Sequence, residues 1–153
     1  MIEILLEDIL TKIHTKNFSE PKQISDELQR LILNERLSEK DISYCSAKLF
    51  NSDLNIFVFL DENAQEKEKR LVNLRKELIS VLCDFMSLHS GYLINYLTIL
   101  REDCLKLFKK EITQEVKKMT LKPILLMIEL YEPQILRSVI KVTSIADVLL
   151  DEI

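Results

Sequence analysis

The two histidines and three cysteines are the side chains best suited to chemistry in this sequence of 153 residues. His14 and His89 each fall near the predicted C-terminus of a helix, where an imidazole commonly hydrogen-bonds to unpaired carbonyl groups. A nucleophilic pair would have to join His89 to Cys83 or Cys104, and no flanking residues support that pairing. We therefore expect both histidines to bond to backbone carbonyls or to face solvent.

Metal-binding spacings are also missing around the histidines and cysteines. Di-iron helical bundles use a Glu-x-x-His spacing, but Thr11 and Met86 stand three residues before the histidines. The cysteines form no C-x-x-C pair of the kind that zinc sites use. No arginine lies four to six residues ahead of either histidine, as the Arg-x4–6-His pattern of helical nucleases would require. The sequence predicts no catalytic residue, no metal and no cofactor, and therefore a protein that is not an enzyme.

Glycine usage excludes two further classes of enzyme. Gly91 is the single glycine, whereas average usage of about 7% would supply about eleven. Phosphate-cradling loops and dinucleotide-binding turns need several glycines close together.

Neighbouring carboxylates such as Glu102 and Asp103 point to different faces of a helix, and we interpret them as solvated surface.

Charge is distributed unevenly along the chain. The 21 basic and 25 acidic side chains give a net charge of −4. Residues 1–62 carry 7 basic and 12 acidic side chains (net −5), residues 63–122 carry 12 and 8 (net +4), and residues 123–153 carry 2 and 5 (net −3). We expect a single all-helical domain over residues 1–153, with acidic helices flanking a basic central segment.

Cysteine usage and hydropathy indicate the compartment. Three cysteines are an odd number, and disulfide frameworks of small secreted proteins use an even number. No basic stretch followed by an apolar core opens the chain. The longest uncharged run, Phe85 to Leu100, has 16 residues, several of them polar, and a membrane span needs about 20 apolar ones. We expect no membrane span and an intracellular protein, cytoplasmic or nuclear.

Apolar residues recur every three or four positions along most of the chain, which is typical of amphipathic helices. The pattern predicts seven to nine helices. Ser38-x-x-Asp41 predicts an N-terminal cap, and Asn63-x-x-Glu66 predicts the start of a helix running to about Leu88, with Arg75 facing water. Predicted starts also lie at Pro21, at Pro123, at Pro133, and at Thr143 or Ser144. Helix pairing leaves two architectures open: a globular bundle, or a short αα-superhelix with HEAT-like pairing.

Three segments are more apolar than a one-sided helix requires: Leu54–Leu60, Tyr92–Leu100 and Ile124–Leu130. The first has β-branched and aromatic content that suits a strand, but nothing else alternates, so we predict a short buried helix capped near Ser52. The second is predicted to lie at the middle of the core. If the core does not absorb all three, one lines a groove for a partner helix or meets a second copy of the chain.

Residues 105–119 combine an apolar stripe with a group of lysines, in one helix or in two broken near Glu111. On a continuous helix, four of these lysines fall within a band about 100° wide. We call them the lysine band: Lys106, Lys109, Lys110 and Lys117. We interpret this band first as the solvated face that an amphipathic helix needs, and second as a docking face for an acidic protein segment or a phosphate backbone.

The sequence predicts a non-enzymatic protein–protein interaction module, an adaptor or a subunit of an intracellular assembly, that binds through helix faces. Its expected partner is another protein or a second copy of the chain, and no small-molecule substrate is evident. The alternative is a subunit of a nucleic-acid complex that uses the lysine band on phosphates.

Overall fold

The computed structural model describes residues 1–139, with side-chain surroundings through residue 136. Residues 1–139 form nine α-helices, which confirms the all-α class. The helices are α1 Ile2–His14, α2 Pro21–Ile32, α3 Glu39–Phe50, α4 Ile56–Glu62, α5 Lys69–Leu88, α6 Leu97–Lys110, α7 Gln114–Met119, α8 Lys122–Leu130 and α9 Pro133–Val139. The helix predicted from Thr143 or Ser144 lies outside the described residues.

The first helix ends through backbone geometry. Lys16 adopts a φ of 58°, in the left-handed region, and Asn17 N donates to the carbonyl of Lys12 at 2.8 Å. This reversal satisfies carbonyls at the end of α1 and turns the chain toward α2. Pro21 then occupies the first turn of α2, where its missing N–H group costs nothing.

Side-chain caps begin α3 and α4. Ser38 Oγ accepts from Asp41 N at 3.1 Å, which confirms the predicted cap. The ambiguous segment after residue 53 forms the short helix α4, and Phe59 and Leu60 are fully buried. Its cap is Asn55, whose Oδ1 accepts from Val58 N at 3.0 Å, rather than Ser52. The helical alternative for this segment is therefore the correct one.

The longest helix, α5, begins later than the sequence predicts. Its first residue is Lys69, because Asn63 ends α4 and donates from Nδ2 to the carbonyl of Phe59 at 2.9 Å. From Leu71 to Phe85 its apolar stripe is buried, and α5 packs against α2, α7 and α8. One continuous core cluster joins α1 to α8, so the helices form a compact globular arrangement.

The segment 92–100 does not form a central helix. Ser90–Tyr92 and Ile94–Tyr96 are separate 3-10 turns, and α6 starts only at Leu97. Leu93, Leu97 and Leu100 are buried, whereas Ile94 is 44% exposed. A Cβ atom added at Gly91 would meet no other atom within 4 Å, so no helix crosses close to this glycine. The prediction of a core centre here is correct only in part: Leu93, Leu97 and Leu100 join the core cluster, but Ile94 is exposed and two 3-10 turns replace a continuous helix.

Candidate interaction surfaces

A break in the helix divides the lysine band. Helix α6 ends at Lys110 and α7 starts at Gln114, with Glu111 extended between them at ψ 126°. Of the two alternatives for residues 105–119, the broken helix is the one observed. Lys106, Lys109 and Lys110 lie on α6, and Lys117 lies on α7.

Contacts within the chain engage part of the lysine band. Lys110 Nζ donates to Asp61 Oδ2 at 3.2 Å, and Lys117 Nζ lies 5.0 Å from the centre of the Phe108 ring. Lys106 lines a small cleft of about 150 Å³ together with Asp61 and Asp103. Lys106 and Lys109 are exposed. The four lysines thus belong to two elements, and two of them have partners in the chain.

A buried ion pair that the sequence does not predict lies at the break near Glu111. Arg75 Nε and Nη2 donate to the two oxygens of Glu111 at 2.6 and 3.1 Å, and both side chains are 0% exposed. Glu111 Oε2 also accepts from Thr113 N at 3.0 Å. Arg75 was expected to face water. It is buried because α7 packs over the middle of α5 and covers it.

Two neighbouring bonds also connect the region around α7 to α5 and to the α4–α5 connection. Ile112 N donates to the carbonyl of Ala64 at 3.2 Å, and Lys76 Nζ lies 2.5 Å from Glu115 Oε1. These bonds join α5 and the α4–α5 connection to the region around α7. The arrangement therefore holds α7 against α5.

The histidines bind backbone, as the sequence predicts. His14 Nε2 is 2.9 Å from the carbonyl oxygen of Leu54 and 3.1 Å from that of Asn55, so the imidazole joins α1 to the start of α4. The His89 ring lies 4.9 Å from the Phe85 ring centre and is only 8% exposed. Burial lowers the pKa of His89 below 6.5, and a hydrogen bond with the backbone of Ile32 acts in the opposite direction.

The thiols are poorly suited to nucleophilic chemistry. Burial raises the pKa of Cys83 to about 12, despite the opposing effect of Lys122, and raises that of Cys45 to about 12. Burial also places the pKa of Cys104 well above its usual value. Since the thiolate is the reactive form, these side chains act as small apolar groups in the fold.

Within residues 1–139, no group of three or more His, Cys, Asp or Glu side chains is arranged to hold a metal ion. None of the helices described is both long and apolar enough to cross a lipid bilayer.

Two groups of exposed apolar side chains stand out on helix faces. The first, which we call the α1 surface, consists of Met1, Ile4 and Leu5 together with a groove toward α2. Ile4 is 71% exposed and Leu5 is 46% exposed. The groove has a volume of about 340 Å³, and its lining residues are Leu5, Asp8, Ile9, Glu27, Arg30 and Leu31.

The second group, the α8 surface, lies on the outer side of α8. Leu125 is 57% exposed and Ile128 is 48% exposed, and the exposed side chains of Lys122 and Glu129 stand on either side of them along the helix. A groove of about 320 Å³ separates this face from Cys83, Asp84 and Ser87 of α5. The excess apolar character of Ile124–Leu130 is therefore divided, since Ile124 and Met127 are buried and Leu125 and Ile128 are exposed.

Comparison of the chain with protein-family models, with curated proteins and with solved structures gives no match.

Proposed function

We propose that the chain is a protein-interaction module, an adaptor or a subunit of an intracellular assembly in the cytoplasm or nucleus. The observation that carries this proposal is the α1 surface. Ile4 and Leu5 are adjacent large apolar side chains exposed on one helix. An exposed apolar group beside a groove is typical of a binding face for another protein.

The chemistry of the α1 surface favours an amphipathic helix with basic flanks. Three of the residues that line the groove are apolar, and the other three, Asp8, Glu27 and Arg30, together carry a net charge of −1. The surrounding residues 1–62 carry a net charge of 7 − 12 = −5. A partner helix would place its apolar residues at i, i+3 and i+4 in the groove. Its lysines or arginines would lie toward the acidic rim and would accelerate association.

The test uses two synthetic amphipathic helical peptides with the same leucine face, one flanked by lysines and one by glutamates. Fluorescence anisotropy with the full chain should show the lysine-flanked peptide binding at least about tenfold more tightly. Added salt should weaken this difference.

Matched variants locate the peptide site. Leu5→Glu, at a residue that lines the groove, should reduce binding of the lysine-flanked peptide at least about tenfold. Ile112→Glu, at an exposed apolar residue between α6 and α7, should leave binding unchanged. The helical circular dichroism signal checks that both variants fold. Equal binding by wild type and the Leu5→Glu variant would overturn the proposal, as would the absence of binding to either peptide.

Binding to nucleic acid is the second candidate, and exposure of Lys106 and Lys109 is what favours it. Replacement of all four lysines of the band by glutamine should then remove most affinity for a DNA or RNA duplex and flatten its dependence on salt. Binding that survives the four replacements would exclude this candidate.

A further inference from the structure

We infer that the α8 surface is an interface between two copies of this chain, with the two α8 helices packed antiparallel across a two-fold axis. This inference uses a different surface from the one proposed for partner helices, and neither depends on the other. It starts from the positions of four exposed side chains on one face of α8: Lys122, Leu125, Ile128 and Glu129.

The spacing of these residues makes the face self-complementary. Lys122, Leu125 and Glu129 follow one another at i, i+3 and i+7, so they share one side of the helix. Ile128 lies next to Leu125 along the same side. Pro123, Ile124 and Met127 point the opposite way and are buried. The outer face of α8 therefore has a cation at its first turn, apolar residues at its centre and an anion near its end.

The charges at the two ends do not satisfy each other within one chain. Lys122 and Glu129 are seven positions apart, which is about 10 Å along the helix at about 1.5 Å per residue. Among the described residues, neither side chain forms an ion pair. Both side chains are exposed.

A two-fold axis exchanges the ends of the helix and so matches the charges. With the axis between Leu125 and Leu126, Lys122 of one copy faces Glu129 of the partner copy, and the same pair forms again on the other side. The exposed Leu125 of each copy then lies across the axis from the other α8. Isologous contacts require this kind of self-complementarity. A partner helix of single charge would match only one end of the face, which is why a second copy is the occupant that fits.

The rim of α5 enlarges the contact beyond the helix pair. The groove of about 320 Å³ beside α8 gives an apolar side chain of the second copy a place to insert. Leu88, which is 45% exposed, stands one turn beyond Asp84 on α5. These features extend the apolar contact from α8 onto α5.

Light scattering and sedimentation velocity of the full chain over a wide range of concentration test the inference. We expect a monomer–dimer equilibrium with no larger species, because a two-fold contact closes on itself. A chain that stays monomeric at every concentration would overturn the inference. That result is expected if another part of the same chain covers α8.

Charge reversal tests the geometry of the contact. Lys122→Glu alone and Glu129→Lys alone should each weaken the dimer at least about tenfold, because each creates two like-charge contacts. An equimolar mixture of these two variants should form a heterodimer tighter than either homodimer, because every contact across the axis is then of opposite charge. If the mixture shows no preference for the heterodimer, the antiparallel arrangement is wrong.

Two apolar variants show where the dimer contact lies. Leu125→Glu should abolish the dimer, whereas Leu5→Glu on the α1 surface should leave it intact and affect only peptide binding. Both replace an exposed side chain, and circular dichroism checks that both remain folded. A dimer that persists in the Leu125→Glu variant would place the contact elsewhere and overturn the inference.

Discussion

Arg75 and Glu111 are the residues whose roles differ most from what their types suggest. An arginine and a glutamate usually lie at the surface, yet both are fully buried here and bond to each other in a bidentate pair. Arg75 Nη1 has no hydrogen-bond partner among the described residues. Burial of two charges is costly, so such a pair is tolerated only while both partners are present.

Replacement of Glu111 by glutamine should lower the free energy of unfolding by about 3–5 kcal/mol, because it leaves the Arg75 cation buried without an anion. The double variant Arg75→Met, Glu111→Leu should regain most of the lost free energy of unfolding. Urea unfolding followed by circular dichroism measures both effects. Lys110→Gln, which removes the exposed pair with Asp61, is the control and should cost less than about 1 kcal/mol. A loss below 1 kcal/mol for Glu111→Gln would contradict this account.

His89 should make the stability of the protein depend on pH. Burial lowers its pKa in the folded state, so the unfolded chain binds this proton more tightly. The contribution of His89 is therefore fully present above the unfolded pKa of about 6.5 and is lost as the pH falls through the folded pKa. Unfolding free energies at several pH values between 7 and 5 should decline less steeply in the His89→Phe variant than in wild type. Parallel declines in the two chains would show that His89 does not titrate in this window.

The elements owe their boundaries to local bonds of different kinds. At α3 the sequence predicts the serine cap correctly, because the hydroxyl group of Ser38 needs only the backbone N–H group three residues later. At α4 the cap is Asn55, and Ser52 instead donates to the carbonyl of Lys48 at 2.7 Å. At α5 a capping pattern was present at Asn63 but was not used. A local pattern can thus name candidate caps, while packing decides which candidate is used.

Asn55 should be the most sensitive cap because it has three bonding roles. Its Oδ1 accepts from Val58 N, its Nδ2 donates to the carbonyl of Ser52, and its own carbonyl oxygen contacts His14 Nε2. Asn55→Ala should cost about 1–2 kcal/mol of unfolding free energy, and Asn55→Asp, which keeps the acceptor, should cost less. Thermal unfolding of both variants beside Ser38→Ala measures this. Equal losses for Asn55→Ala and Asn55→Asp would show that the cap acceptor contributes nothing.

At the scale of the whole molecule, α5 joins the two ends of the described chain. It packs against α2, α7 and α8, and its buried residues belong to the same core cluster as those of α1 and α8. A core with one continuous centre favours unfolding as a single unit.

Leu78→Ala, at a fully buried position of α5, should lower the free energy of unfolding by about 2–5 kcal/mol. Amide hydrogen exchange in α1 and in α8 should accelerate together, because both helices depend on the same core. Val72→Ala, at a partly buried position of the same helix, is the control and should have a smaller effect. Faster exchange confined to one of the two helices would show that the chain unfolds in separate parts.

The sequence was enough to predict the all-helical class and most of the inward faces of the helices, because apolar periodicity and chain reversals are local properties. It also identified Ile124–Leu130 as a segment with more apolar character than one buried face needs. The spacing of the apolar residues does not predict which of them face outward, because both sides of α8 are apolar. Only the packing of α8 against α5 and α6 decided that Leu125 and Ile128 stay exposed.

Contacts between distant segments, which no local pattern shows, set the positions of the charges. Arg75 and Glu111 are 36 residues apart, and the sequence around neither residue signals that they meet. The lysine band assumed a continuous helix, and the turn at Glu111 divided it between α6 and α7. The physical reason is the same in each case: local sequence sets the hydrogen bonding of a helix, whereas contacts between distant segments set the burial and the ionic partners of its side chains.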